Sequence, residues 1–460
     1  MKNFILLSAT LLLMLFANAQ IVNIPDANFK AALVNDTTIN TNQDGEIQVS
    51  EALATDSIDV SSMSISDLTG IEAFTSIIYL QCSNNMLSTL DVSNNTALTT
   101  LGCASNDLTA LDVSNNTAIT YLSCGGNQLS SINLNNNIAL THLYCLYNHL
   151  MSLSIINNTA LTHLRCNLNH LSTLNASNNT ALVELNCDNN QLSTLDISNS
   201  TALTNLDCHQ NFLNSLDISN NTALTDIDCS ANQIIILDVS NNTALTFLNC
   251  MWNNLTTLGV SNNTAITNLY CGDNQLSTLD VSNNTMLTNL SCTDNNIASL
   301  DVSNNMVLTY FLCSENLLSS LNVKNGNNIN LTGFDAEDNP NLYCIEVDDS
   351  TWSTANWTNI DSIAHFSENC MVNTPNQLKT QELKLAPNPF NEKLSVLLPD
   401  NTNADNIEIA LYNVLGKQIK VSTEKANNEI IINGANLHSG IYFVEITTNK
   451  QVITKRVIKQ

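Results

Sequence analysis

The residues with the most chemistry to offer are the cysteines. Of the 14 in this 460-residue chain, twelve (Cys82, Cys103, Cys124, Cys145, Cys166, Cys187, Cys208, Cys229, Cys250, Cys271, Cys292 and Cys313) follow one another at intervals of 21 residues. Thiols so placed could bridge, bind metal or fill space. Equivalent positions on adjacent in-register parallel strands lie about 4.8 Å apart, whereas bridged Cβ atoms lie at roughly 3.5 to 4.5 Å. One thiol per unit also gives a line with no tetrahedral S4 cluster. The expectation is a ladder of small buried hydrophobes. Cys344 and Cys370 fall off this register and bracket Trp352 and Trp357. They are expected to form one disulfide sealing the end of the array.

Oxygen ligands are concentrated in one place. Residues 40–51 fit the twelve-residue spacing of an EF-hand-type calcium loop. Ligands would come from Asn40, Asn42, Asp44, the Glu46 carbonyl and a bidentate Glu51, with Gly45 at the sharp turn. Asn40 stands where Asp is usual, which removes one negative charge and should make binding weak. A plain Gly-containing acidic turn is the alternative. Paired carboxylates such as Asp207 and Asp228 could do acid/base work or hold a cation, but short units without insertions build no water-excluding pocket. No P-loop, dinucleotide turn, nucleophile elbow or zinc-protease signature occurs, so no enzymatic activity is expected. Lys+Arg 14 against Asp+Glu 41, a net charge of -27, excludes nucleic acid as a partner.

The elements that must position these residues follow from the repeat. The unit Leu98–Ala118 reads LTTLGCASNDLTALDVSNNTA. Leu101 and Cys103 alternate with smaller residues at a period of two, the mark of a short strand with one buried face. An asparagine stands three residues after every one of the twelve cysteines, from Asn85 to Asn316. Stacked side-chain amides there can pair backbone groups that a bending chain would otherwise bury unsatisfied. Leu108, Leu111 and Val113 return to the core, and Ser114-Asn115-Asn116-Thr117 favours turns over helix. The recurring Asn-Asn-Thr sequons are read as these structural turns. A single coil cannot bury its own leucines, so the stack is the folding unit.

This is the leucine-rich-repeat pattern with Cys at its third core position. Residues 53 to 344 resemble the internalin-like leucine-rich-repeat proteins, in particular those with 21-residue units and a cysteine ladder. The resemblance implies a mainly β solenoid whose concave parallel sheet binds proteins or host surface ligands; it names no ligand. The convex side is expected to be extended segments and turns.

The ends differ from the array. Lys2, an apolar run from Phe4 to Phe16 and Ala17-Asn18-Ala19 have the form of a signal peptide over residues 1–19. Residues 20–76 are expected to form a small helix-loop-helix N-terminal cap, ending in a degenerate coil with Ile58, Val60, Ile65 and Leu68. Residues 77–328 hold the twelve repeats, and 329–371 a C-terminal cap whose last coil puts Phe334, Ala336 and Asn339 in the Leu, Cys and Asn places. A linker, 372–380, precedes a region of different composition, 381–460, with nine Lys+Arg, eight Asp+Glu and no cysteine. Its alternating runs predict a small β-sandwich, immunoglobulin-like in class. Pro387-Asn388-Pro389, Leu411–Lys417, Leu437–Val444 and the basic end Lys455–Gln460 resemble the C-terminal sorting domain of type IX secretion cargo, with a departure at Thr448-Asn449-Lys450. That resemblance implies export by the type IX machinery across the outer membrane of a Gram-negative bacterium. It further implies removal of this domain and, often, attachment to surface lipopolysaccharide.

These strand positions predict a patchy concave face. Coils four and five (counted by cysteine) present His142, Tyr144, Tyr147, His163, Arg165 and Leu168. Coils six to eight present Glu184, Asp188, Asp207, His209, Asp226 and Asp228, and coils nine and ten Phe247, Met251, Trp252 and Tyr270. Clustered aromatics point to a secreted or cell-surface recognition protein, adhesin-like, binding a protein or glycan there. A structural surface or matrix component without a specific ligand is the alternative.

Overall fold

The structure is a computed structural model that describes residues 20–370, 384–398, 407–414, 416–426, 429–447 and 452–460. The signal-peptide run, the linker and Thr448-Asn449-Lys450 lie outside the described residues. Two units separate, Met1–Asn369 and Cys370–Gln460.

The first unit is the solenoid. Each 21-residue coil places one three-residue strand in a parallel sheet of 14 strands, running from Ser57–Asp59 through the twelve regular coils to Gly333–Asp335. Every pairing is in register, for example Leu143↔Leu164 and Leu206↔Ile227, because no coil gains or loses a residue between Cys82 and Cys313. The strand leucines and all twelve ladder cysteines are buried, and one continuous core runs from Val22 to Phe366. The convex side is turns and short extended pieces, some of which pair, as in Thr173–Asn175 with Thr194–Asp196.

Two asparagine ladders hold adjacent coils together. In the expected one, Asn211 Nδ2 donates to the carbonyls of Cys187 and Cys208, both at 3.1 Å, and its Oδ1 accepts from Leu192 N–H at 2.9 Å. The second uses the latter asparagine of each Asn-Asn-Thr: Asn116 Nδ2 donates to Val92 and Asn95 carbonyls, both at 2.9 Å. That asparagine is fully buried, whereas Asn115 before it is exposed.

At the N-terminal end, helices Ala27–Asn35 and Val49–Ala54 flank residues 36–48. Asp26 caps the first helix by accepting from Asn28 and Phe29 N–H. At the other end Phe334 stacks on the buried Trp357 at 4.3 Å between centroids and meets Phe311 and Phe366 at 6.0 and 6.2 Å. Asn339 takes the ladder position, donating to Cys313 and Ala336 carbonyls. Cys344 and Cys370 are disulfide-bonded and the other twelve thiols are free.

The second unit is two antiparallel four-stranded sheets. They enclose a core that includes Phe390, Leu394, Leu411, Ile430, Val444 and Val457, the expected sandwich.

Candidate functional site

In each coil the residues on either side of the buried strand leucine stand on the open sheet face. Register pairing lines them up into two lateral rows: Tyr121, His142, His163, Glu184, and Ser123, Tyr144, Arg165, Asn186. Contacts follow directly. The His142 and His163 rings stack at 4.5 Å and 7°, and the hydroxyls of Thr141 and Thr162 lie 2.9 Å from Nδ1 of the histidine that follows each. Tyr121 meets Tyr144 edge-on at 5.5 Å. Arg165 lies 5.5 Å over the Tyr144 ring and donates from Nε to Glu184 Oε1 at 2.7 Å. Partial burial and the neighbouring His163 lower the His142 pKa, so its ring is neutral near pH 7. The result is an aromatic platform with one guanidinium. Tyr121 belongs to it, and its signal was its register: one residue before Leu122, as His142 is before Leu143.

The sheet then turns acidic. Arg165, Glu184, Asp207, Asp226, Asp228 and Phe247 line a shallow depression of about 530 Å³. Phe247 and Tyr270 close that side, 5.8 Å apart.

Tyr147 and Trp252 do not join these rows. Each sits two residues after its cysteine, beyond the strand, in a left-handed backbone conformation with φ 54° and 52°. That turn carries the side chain to the rim of the sheet, where Tyr147 is 66% and Trp252 57% exposed. Tyr147 lines a rim groove of about 990 Å³ with His149, Leu168, His170 and Phe212. His149 and His170 stack at 5.8 Å and 4°. Sequence reasoning passed over His149, His170 and Phe212, although all three stand four residues after their cysteines.

Where the sheet face meets the rim, Asp188, Asp207 and His209 converge. His209 Nδ1 lies 2.7 Å from Asp207 Oδ1, and Nε2 lies 3.7 Å from Asp188 Oδ2. The hydrogen bond to Asp207 raises the His209 pKa against the effect of burial. Burial pushes the Asp188 carboxyl up.

In the N-terminal loop, Glu51 Oε1 accepts from Thr41 N–H and hydroxyl and from Asn42 N–H, while Oε2 accepts from Gln48 N–H. Burial works to raise its pKa, but those bonds hold the carboxyl below its usual value. Asp44 accepts from Gln48 Nε2 and Glu46 N–H, and the Glu46 side chain pairs with Lys30 at 2.7 Å. Asn42 Nδ2 donates to Asp44 and Gln48. Asn40 is buried with Oδ1 unpartnered.

Residues 384–460 match the family model for the secretion system C-terminal sorting domain. Among solved structures, the functional domain of InlJ from Listeria monocytogenes, described as including a cysteine ladder, is similar over 96% of this chain and 98% of its own, with 27% identity and a TM-score of 0.61. The internalin InlF of the same organism is similar over 70% of this chain and 98% of its own, at 22% identity and TM-score 0.61. The plant peptide hormone receptor RGFR1, solved in complex with RGF2, shares the fold over 70% of this chain and 57% of its own, at 20% identity and TM-score 0.59. No curated protein matches the chain. The molecule is an internalin-like leucine-rich-repeat solenoid with a cysteine ladder. It carries a C-terminal sorting domain for type IX secretion and is an exported protein. Among the described residues, no helix is long and apolar enough to cross a membrane.

Proposed function

We propose that this protein is a secreted or surface-displayed recognition protein, adhesin-like and without enzymatic activity, that binds a protein or glycan ligand on its concave sheet. The observation that carries the reading is the platform of Tyr121, His142, Tyr144, His163 and Arg165 on one open face. Aromatic rings bury much area at low entropic cost, and together with guanidinium groups they dominate affinity, while an acidic border steers encounter. The sorting domain supports delivery to the surface of a Gram-negative bacterium, with its own removal and attachment to lipopolysaccharide as part of the same proposal. The test is a glycan array and a surface-protein pull-down with the immobilised chain. Once a ligand is captured, Tyr144→Ala and Phe247→Ala should each weaken it by about 1 to 3 kcal/mol, and the convex Thr222→Ala should not. The reverse pattern favours a structural component of the cell surface instead.

Weak calcium binding by residues 40–51 is a second proposal. Its support is the oxygen-rich loop and the unpartnered Asn40 Oδ1; the hydrogen bonds already made by Glu51 compete with the ion. Calorimetry at millimolar calcium should show one weak site that Glu51→Gln removes. Silence in the unsubstituted protein rejects it.

A further inference from the structure

Coils six and seven place a buried carboxylate beside an imidazole one residue past the ladder cysteines: Asp188 follows Cys187 and His209 follows Cys208. Asp188 is 5% exposed. A buried carboxylate needs a compensating charge, and among the described residues the ionic partner of Asp188 is His209. Arg165 is engaged by Glu184.

The hydrogen bonds fix the imidazole in a particular state. Asp207 Oδ1, 2.7 Å from Nδ1, holds the ring proton there. A cation that replaces the proton on Nε2 then meets a lone pair facing Asp188 Oδ2 at 3.7 Å. A carboxylate on one ring nitrogen with the other nitrogen free is the arrangement that orients metal-binding histidines. The Asn189 amide lies against both groups: its Nδ2 hydrogen-bonds Asp188 Oδ2 and stands 3.3 Å from His209 Nε2. A half-turn about its last bond exchanges this donor for the Oδ1 acceptor. One coil earlier, in the register of Asp188, Asn167 has a buried Oδ1 with no hydrogen-bond partner.

The distances suit an ion. Oxygen and nitrogen ligands about 2.0 to 2.2 Å from a metal stand at most about 4.4 Å apart. The 3.7 Å between Nε2 and Oδ2 lies inside that limit. A mixed imidazole and oxygen set suits zinc and its neighbours, whereas calcium and magnesium take oxygen alone.

We propose that Asp188 Oδ2, Asn189 Oδ1 and His209 Nε2 bind one divalent transition cation of the zinc class, with water completing the coordination and Asp207 positioning the imidazole. The test titrates the full chain, without a histidine tag, with zinc chloride in a calorimeter, and with cobalt(II) by visible absorption. One zinc per chain is expected. Asp188→Asn and His209→Gln should each weaken it at least 30-fold and abolish the cobalt bands. Asp207→Asn should weaken it about tenfold while shifted cobalt bands persist, the mark of a positioning residue. His149→Gln, in the stacked rim pair His149 and His170, should change neither readout. Should Asp188→Asn fail to fold, His209→Gln decides, because that side chain is 31% exposed. Absence of zinc binding at millimolar concentration overturns the proposal, as does binding that His209→Gln leaves intact.

Discussion

Asn211→Ser and Asn221→Ser are the same change in two ladders, and the structure predicts unequal costs. Asn211 is 4% exposed and is the hydrogen-bond acceptor for Leu192 N–H, through Oδ1 at 2.9 Å. Truncation leaves that buried N–H without a partner, at a cost of about 1 to 3 kcal/mol, and removes the amide donors to Cys187 and Cys208 at about 1 kcal/mol net. Those two carbonyls keep a second donor each, from Asn190 and Asn232, which bounds the total at about 2 to 4 kcal/mol. Asn221 donates to Ile197 and Ser200 carbonyls, but both also accept backbone N–H groups, from Ser200 and Leu203. Its Oδ1 is buried with no partner, so truncation removes an unsatisfied atom and creates none. The expected cost is below about 1 kcal/mol. One coil already carries this change: Ser200 stands in the second ladder, fully buried, with Oγ donating to Ala176 carbonyl at 3.0 Å. Urea unfolding followed by circular dichroism, comparing midpoints at equal slope, measures both variants. Equal losses, or a larger loss for Asn221→Ser, would refute the reasoning that one ladder satisfies an otherwise orphaned N–H and the other does not.

Three further outcomes are expected. The twelve ladder thiols should resist thiol reagents in the native protein and react in denaturant, since burial pushes Cys82, Cys124 and Cys166 up to about 12; replacing Cys208 by Ser should cost about 1 to 3 kcal/mol through an unpaired hydroxyl. In chelator-treated buffer, stability should fall as pH rises from below the ordinary imidazole value of 6.5 through the raised value of folded His209, because the extra proton is held in the folded state only below that value; the fall should be absent from His209→Gln melting curves. A chain lacking residues 381–460 should keep its solenoid circular dichroism spectrum but accumulate inside the outer membrane, and undiminished surface display on fractionation would count against the sorting role.

The strands, the cysteine ladder and the first asparagine ladder were legible because a constant 21-residue interval fixes register, and register fixes which residues touch. His142, His163, Tyr144 and Arg165 were placed correctly on the face by that argument alone. Tyr147 and Trp252 were not, because three residues past the strand the chain passes through a left-handed turn, a conformation bulky residues seldom adopt. Its trace was present: Asn84, Gly126, Asn189, Asp273 and Asp294, types that tolerate positive φ, share that register. The second asparagine ladder hid inside a motif that also reads as a sequon and a turn. The cluster of Asp188, Asp207 and His209 was legible only as acidity, because its members come from two coils and two different positions relative to cysteine.

Variation among the repeats argues for recognition over pure scaffolding. The convex stretch is Asp-Val-Ser-Asn-Asn-Thr in four coils and keeps mostly small polar residues around its buried position in the others, and the inward Leu, Cys and Asn are fixed by packing and hydrogen bonding. The two face positions instead run Tyr121/Ser123, His142/Tyr144, His163/Arg165, Glu184/Asn186, Asn205/Asp207, Asp226/Asp228, Phe247/Asn249 and Asn268/Tyr270. Neither the core nor the ladders requires this sequence of aromatic, basic, acidic and aromatic side chains, since Thr100 and Gly102 suffice at the same positions in coil two. A solvated face kept only for solubility would be served by the serine, threonine and asparagine that recur in the convex turns. Large rings and paired charges on an open sheet, held in fixed lateral register by the ladders behind them, are what a binding surface requires.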